Sequence, residues 1–197
     1  MFPRPFARTM RLACLAIAVL ALLCSGIAAQ EPLKLYGLTI PDRVAGLPHE
    51  APVDYEKTHP GLGYSVQFRR EGWRIDVYVY DALRQSIPDD PQSAPVKSQL
   101  EGARRDILEM QERGIYRDVE VKKDYTIAQN SRTRFVCSAL TFHHNRTHTD
   151  VDSYVCVSSW NNKFIKIRMT TTRGGATTSA DVQTFVEAWS DLLWRSI

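Results

Sequence analysis

The sequence predicts an α+β fold: an antiparallel sheet of about six to seven strands packed by two amphipathic helices, with one hairpin closed by a disulfide. Three observations lead there. Two segments carry apolar stripes at helical spacing, Val96–Leu100–Ala103–Ile107–Met110 and Val182–Phe185–Val186–Trp189–Leu192–Leu193. Between and before them, runs of period-two alternation are joined by short connections, which favours antiparallel pairing. One pair of runs, Arg134–Ser159, carries a cysteine on each arm. Whether the helices cover one face of the sheet or both stays open.

The cysteine hairpin fixes a testable register. With Cys137 opposite Cys156, paired residue numbers share a constant sum, so Val136 faces Val157, Ala139 faces Tyr154 and Phe142 faces Val151. Val136, Leu140, Phe142, Val151, Val155 and Val157 then gather on one side, as a half-buried strand pair requires. Opposed residues of an antiparallel pair lie about 4.5–5.5 Å apart, within reach of a disulfide worth roughly 2–4 kcal/mol. The register leaves Arg146-Thr147 as a two-residue turn. Arg-Thr is poor chemistry for a primed turn, and a longer tip from His143 to Thr149 is the alternative.

The chain begins with the pattern of an export signal. Arg4, Arg8 and Arg11 precede the apolar run Leu12–Cys24, and small residues follow up to Ala29. The run is shorter than the roughly 20 residues of a membrane span. The expectation is a signal peptide over 1–29, cleaved after Ala29, and a single domain over 30–197; an uncleaved anchor is the alternative. Without the three arginines, Lys plus Arg falls from 25 to match the 22 Asp plus Glu. A formally neutral chain gives no electrostatic reason to expect nucleic acid as a partner, and no membrane span is expected after cleavage. Cys137 and Cys156 remain as one pair in an oxidising compartment, so the protein reads as exported, and as periplasmic if its source is bacterial.

Taken in order, Leu33–Ile40 reads as a first strand stopped at Pro41. Four prolines from Pro41 to Pro60 make irregular surface chain. Gly63–Arg69 and Trp73–Asp81 read as strands joined by Arg70-Glu71-Gly72. In the second, Trp73, Ile75, Val77 and Val79 share one face, and Arg74, Asp76, Tyr78 and Tyr80 the other. A helix is expected over Val96–Arg113, with Pro95 in its first turn, Gly114 at its stop and a solvated charged face with i,i+4 pairs such as Glu101–Arg105. Tyr116–Lys122 and Tyr125–Ala128 read as two strands around Lys122-Lys123-Asp124. After the cysteine hairpin, Lys163–Thr172 is a strand with Ile165, Ile167 and Met169 on one face. A three-residue loop would place Val157 opposite Ile165. Arg173-Gly174-Gly175-Ala176 breaks the strand. The last helix is expected over Ala180–Arg195, capped by Thr178 or Ser179, with Asp181 in its positive first turn.

This order resembles the PsbP-like fold. The likeness rests on the early strand ending in Thr39-Ile40-Pro41, the hairpin into Trp73–Asp81, the Val96–Arg113 helix, the following antiparallel strands and the closing helix with Phe185 and Trp189. It implies a central antiparallel sheet between helices, and an accessory or binding role without catalysis. It carries over no site residues.

The densest polar constellation is the hairpin tip. His143, His148, Asp150 and Asp152 offer imidazole and carboxylate donors for a divalent metal such as zinc, nickel or copper, the one cofactor the sequence suggests. His144 falls on the opposite face. Tyr78, Tyr80, Tyr154 and Trp160 are candidates for a ligand or partner surface; packing under a helix is their plainer use. Asn145-Arg146-Thr147 matches a glycosylation sequon, relevant only to a eukaryotic secretory source. Arg173-Gly174-Gly175 lacks the lysine and spacing of a phosphate loop. No GxSxG elbow is present, and the two cysteines lack redox spacing. The functional expectation is an exported, non-enzymatic accessory or binding protein for an unknown protein or small ligand. A metal-binding protein using the tip is the alternative, and a hydrolase of unrecognised type comes last.

Overall fold

The computed structural model describes residues 32–176 and 178–194. The expected signal peptide lies outside them. The elements are β1 (Leu33–Leu35), β2 (Leu38–Ile40), β3 (Arg43–Val44), β4 (Leu47–Pro48), β5 (Val53–Asp54), β6 (Tyr64–Arg70), β7 (Trp73–Tyr80), α1 (Ala94–Glu112), β8 (Tyr116–Gln129), β9 (Arg132–His144), β10 (Thr149–Trp160), β11 (Lys163–Thr172) and α2 (Ser179–Trp194). Seven strands form one antiparallel sheet in the order β5-β6-β7-β11-β10-β9-β8. Among the described residues, no helix is long and apolar enough to cross a membrane.

The helices lie on opposite faces. Alternate residues of β9 and β10 enter two separate apolar clusters: Phe135, Cys137 and Cys156 join α2, whereas Val136, Leu140, Val155 and Val157 join α1. The cysteine hairpin is therefore buried on both sides, not half-buried as its one apolar face suggested. The second face escaped notice because, between Phe135 and Tyr154, the small residues Cys137, Ala139, Cys156 and Ser158 fill it where larger apolar residues would have marked it. Helix α2 buries Val182, Phe185, Val186, Trp189 and Leu193. Phe68 meets Phe185 and Trp189 edge to face, at 5.2 and 6.3 Å between centroids. The short N-terminal strands complete that layer with Leu35, Leu38, Ile40, Val44 and Leu47. On the other face, α1 buries Val96, Leu100, Ala103 and Ile107 and packs on β8, β9 and β10.

Several local expectations are corrected. Leu33–Ile40 is a hairpin rather than one strand, because Tyr36 and Gly37 both take positive φ and turn the chain. The proline-rich stretch holds three two-residue strands, β3, β4 and β5. The β6–β7 turn is tighter than read, with Arg70 paired to Trp73. Tyr116–Gln129 is one strand whose register slips against β9 at three points. Such bulges hold an extra residue without ending the strand, so Lys122-Lys123-Asp124 bends the edge and does not break it. On α1, Arg104 reaches across to Asp124 at 2.7 Å and Arg113 approaches Glu109 at 3.8 Å, while among the described residues the expected Glu101–Arg105 pair does not form. Asn161 and Asn162 both take positive φ as a two-residue turn. Trp160 therefore pairs with Lys163, and Val157 with Lys166 rather than Ile165.

Candidate binding groove

Helix α1 packs on β8, β9 and β10 and leaves a recess over β7 and β11 around Tyr78, Lys166 and Arg168, next to the buried Tyr80, Phe164 and Ile87. That recess is set by two alternations. On β7, Ile75, Val77 and Val79 go to the α2 side, which sends Tyr78 and Tyr80 the other way. On β11, Ile165, Ile167 and Met169 do the same and place Lys166 and Arg168 beside the tyrosines, with Lys166 opposite Tyr78. The Asn161-Asn162 turn decides this parity, since one more loop residue would invert every side chain of β11.

Two hollows sit on this surface. One, of about 180 Å³, is lined by Tyr55, Leu62, Tyr78, Tyr80 and Lys166. The second, of about 360 Å³, continues from Tyr78 and Lys166 past Arg168 to a wall of α1 that includes Asp106, Glu109, Met110 and Arg113. They share Tyr78 and Lys166 and so form one trough. The Lys166 ammonium lies 4.8 Å from the Tyr78 ring centre and 5.5 Å from that of Tyr80, in cation–π range. Burial holds its pKa below the usual lysine range; Asp106 opposes this and Arg168 adds to it. Among the described residues, Lys166 makes no ion pair and no hydrogen bond. Burial also raises the Tyr78 phenol, with Asp76 adding to it. The Tyr80 hydroxyl donates to Gln99 Oε1 at 2.7 Å, and an Arg168 guanidinium nitrogen donates to the Tyr116 hydroxyl at 3.3 Å.

The loop walling the trough is built on one carboxylate. Glu56 accepts from the Gly61 N–H at 3.0 and 3.1 Å and from the Gly63 N–H at 2.8 Å. Gly63 has φ of +59°, and a Cβ there would lie 2.0 Å from the Val79 carbonyl oxygen. The loop approaches β7 that closely only because the residue is glycine.

At the hairpin tip, the expected register holds from Val136–Val157 to His144–Thr149, leaving Asn145–His148 as a four-residue tip. Cys137 and Cys156 are bonded, with Cα atoms 4.1 Å apart. His143 Nδ1 and Asp150 Oδ1 are 2.8 Å apart, and this contact, with Arg173 nearby, lowers the Asp150 pKa. Asp152 is held instead by Arg173, at 3.1 Å from Nε. His148 sits in the turn with positive φ. His144 lies beside Tyr116, 5.3 Å between ring centres. Among the described residues, no three His, Cys, Asp or Glu side chains are grouped to hold a metal. The sequon amide is engaged, since Asn145 Nδ2 donates to the Gly114 carbonyl at 2.9 Å.

No known protein family and no curated protein matches the sequence. Solved structures do. The chain is similar to the Ran-binding protein Mog1p of Saccharomyces cerevisiae at 12% identity, over 83% of this chain and 89% of that one, with a TM-score of 0.35. It is similar to cyanobacterial PsbP from Synechocystis at 14% identity, over 89% and 97%, with a TM-score of 0.37. A Pseudomonas aeruginosa protein of unknown function matches at 15% identity over 81% and 90%, with a TM-score of 0.32. A PsbP, whose fold the element order resembles, is among these structures.

The four aromatic candidates divide between the faces. Tyr78 and Tyr80 line the trough, whereas Tyr154 and Trp160 pack against the cluster under α2. Sequence reasoning missed Lys166, Arg168, Tyr55 and Leu62. For the two cations the signal was present: pairing Trp160 with Lys163 across Asn161-Asn162 carries Lys166 to the tyrosine face.

Proposed function

We propose that this chain is an exported, non-enzymatic accessory or binding protein, and that it binds its partner in the trough beside α1. The observation that carries the reading is the recess on the α1 face. Its floor is neither the aliphatic surface of a buried sheet nor the short polar surface of a solvated one. The half-buried Tyr78 presents a ring face, backed by the buried Tyr80, beside a lysine that among the described residues has no ion pair or hydrogen bond, and tyrosine of this kind is enriched at interfaces because it brings contact area with little side-chain entropy to lose. Export is supported by the basic-then-apolar pattern of residues 1–29 and by a buried disulfide, which persists where thiols are not kept reduced. In this reading residues 30–197 act as a single domain after cleavage.

Site-specific photo-crosslinking in the native cells tests it. A benzoylphenylalanine at Tyr78 should give discrete adducts, and the same probe at exposed Gln183 on α2 should not. Equal labelling from both positions, or none from either, would refute the trough as the binding surface. Turnover on an ester or peptide panel that disappears with His143→Ala would instead favour an enzyme.

A further inference from the structure

Resting on that reading, the geometry points to an acidic, apolar-anchored peptide segment of a partner protein as the occupant of the trough, its carboxylate between Lys166 and Arg168 and an apolar side chain in the hollow of Tyr55, Leu62, Tyr78 and Tyr80. The first argument is a contrast between cations. Lys163, on the opposite face of β11, is paired with Asp81 at 2.7 Å. Arg74 is held by Asp76, Arg104 by Asp124 and Arg173 by Asp152. Lys166 is held between rings with its three donors unused, at a site dry enough to depress its pKa. A half-buried ammonium whose donors are unpaired among the described residues is partly desolvated, and an incoming carboxylate would offset that cost on binding.

Arg168 strengthens the assignment by position. It lies two residues along the same strand, so both side chains leave one face from Cα atoms about 7 Å apart, and a single acidic side chain can reach both. The α1 wall carries charges of both signs, Asp106, Glu109 and Arg113. Glu109 is near Arg113 at 3.8 Å, and Asp106 opposes the desolvation of Lys166 without forming an ion pair with it. They leave the Nζ donors unclaimed.

The apolar end fits the same occupant. Leu62 is 51% exposed at the lip of the smaller hollow, beside ring faces that water solvates poorly. A partner side chain placed there would cover it, as a central anchor does in a protein interface. The two hollows share Tyr78 and Lys166, so anchor and carboxylate would occupy neighbouring stretches of one segment. An anionic membrane fits less well, because the cations line the floor of a recess rather than a convex rim.

The test is fluorescence anisotropy on the folded protein with three labelled dodecapeptides, in which leucines alternate with glutamates, glutamines or lysines. The glutamate peptide should bind at least about tenfold more tightly than the glutamine peptide, and Lys166→Gln and Arg168→Gln should each remove most of that advantage. Thermal melts establish that both variants remain folded. Equal binding of the glutamate and glutamine peptides, or no binding by any of the three, would overturn the inference. So would unchanged affinity in Lys166→Gln, or a Lys166-dependent preference for phosphatidylglycerol vesicles over the glutamate peptide. Adducts at Tyr78 in cells would survive any of these failures, so the binding reading and the acidic preference can fall separately.

Discussion

Replacing Cys137 and Cys156 together by alanine should destabilise the fold by about 3 kcal/mol, by the loop-closure estimate. The two residues are 19 apart in sequence and both are fully buried. The native strands stay in register without the bond, because the pairs on either side of the cysteines continue from Val136–Val157 to His144–Thr149. The loss therefore arises chiefly in the unfolded chain, which regains the freedom of a loop of some twenty residues. For a domain of this size each kcal/mol moves the melting temperature by about 2–4 °C, so a fall of about 6–12 °C is expected. Urea unfolding followed by circular dichroism checks it, with reduced wild-type protein as a second sample that removes the bond without changing side-chain volume. The m-value should rise slightly, since an unbridged unfolded chain exposes more surface. If both samples melt within about a degree of the oxidised wild type, the bond contributes nothing, and the argument from disulfide to oxidising compartment loses its physical basis.

Three further outcomes follow from local geometry. Gly63→Ala should lower the unfolding free energy from urea titration by more than the roughly 1–2 kcal/mol of a left-handed residue alone, because its Cβ meets the Val79 carbonyl; Gly72→Ala, with positive φ but open space, serves as the control and should cost only the conformational part. Asp181 accepts from the Thr178 N–H and hydroxyl and pairs with Arg70, which holds its pKa at about 2 against 3.8 unfolded. Its stabilisation of the α2 start is present above 3.8 and lost as pH falls through about 2, so the melting temperature of Asp181→Asn should converge on that of wild type across that window. Zinc should leave the melting temperature unchanged, because His143 and Asp150 converge while Asp152 is held by Arg173; a rise abolished by His143→Ala would restore the metal site.

What could be read from the sequence was whatever a local period determines. The helix stripes, the two faces of β7 and the constant-sum register of the cysteine hairpin all rest on spacing within one segment or on one covalent constraint. The misreadings lie where the backbone departs from those periods. Tyr36 takes positive φ against the preference of an aromatic residue and folds a strand into a hairpin. Bulges shift β8 without a glycine or proline to mark them. One loop residue at Asn161-Asn162 decided whether Lys166 faced α1 or α2, and with it whether the groove cations were visible. The tyrosines were found because alternation within β7 is self-contained. Lys166 and Arg168 required a tertiary register.

The trough itself follows from a mismatch of widths. Seven strands at about 4.8 Å spacing span roughly 29 Å, while a helix with its side chains is about 10–12 Å across. On one face α2 shares the work with the short strands β1 to β4, and the surface beneath is aliphatic: Ile75, Val77, Val79, Ile165, Ile167 and Met169. On the other face the segment around Ile87 covers Tyr80 and Phe164, and a recess remains at Tyr78, Lys166 and Arg168. Had that recess been destined for water alone, short polar residues would serve; had it been destined for a permanent cover, aliphatic ones would. Tyr78, Tyr80, Lys166 and Arg168 are amphipathic side chains, with apolar bodies for contact and polar ends that tolerate exposure. That composition suits the binding role proposed for this recess, since a surface wet when free and buried when occupied calls for side chains of that kind.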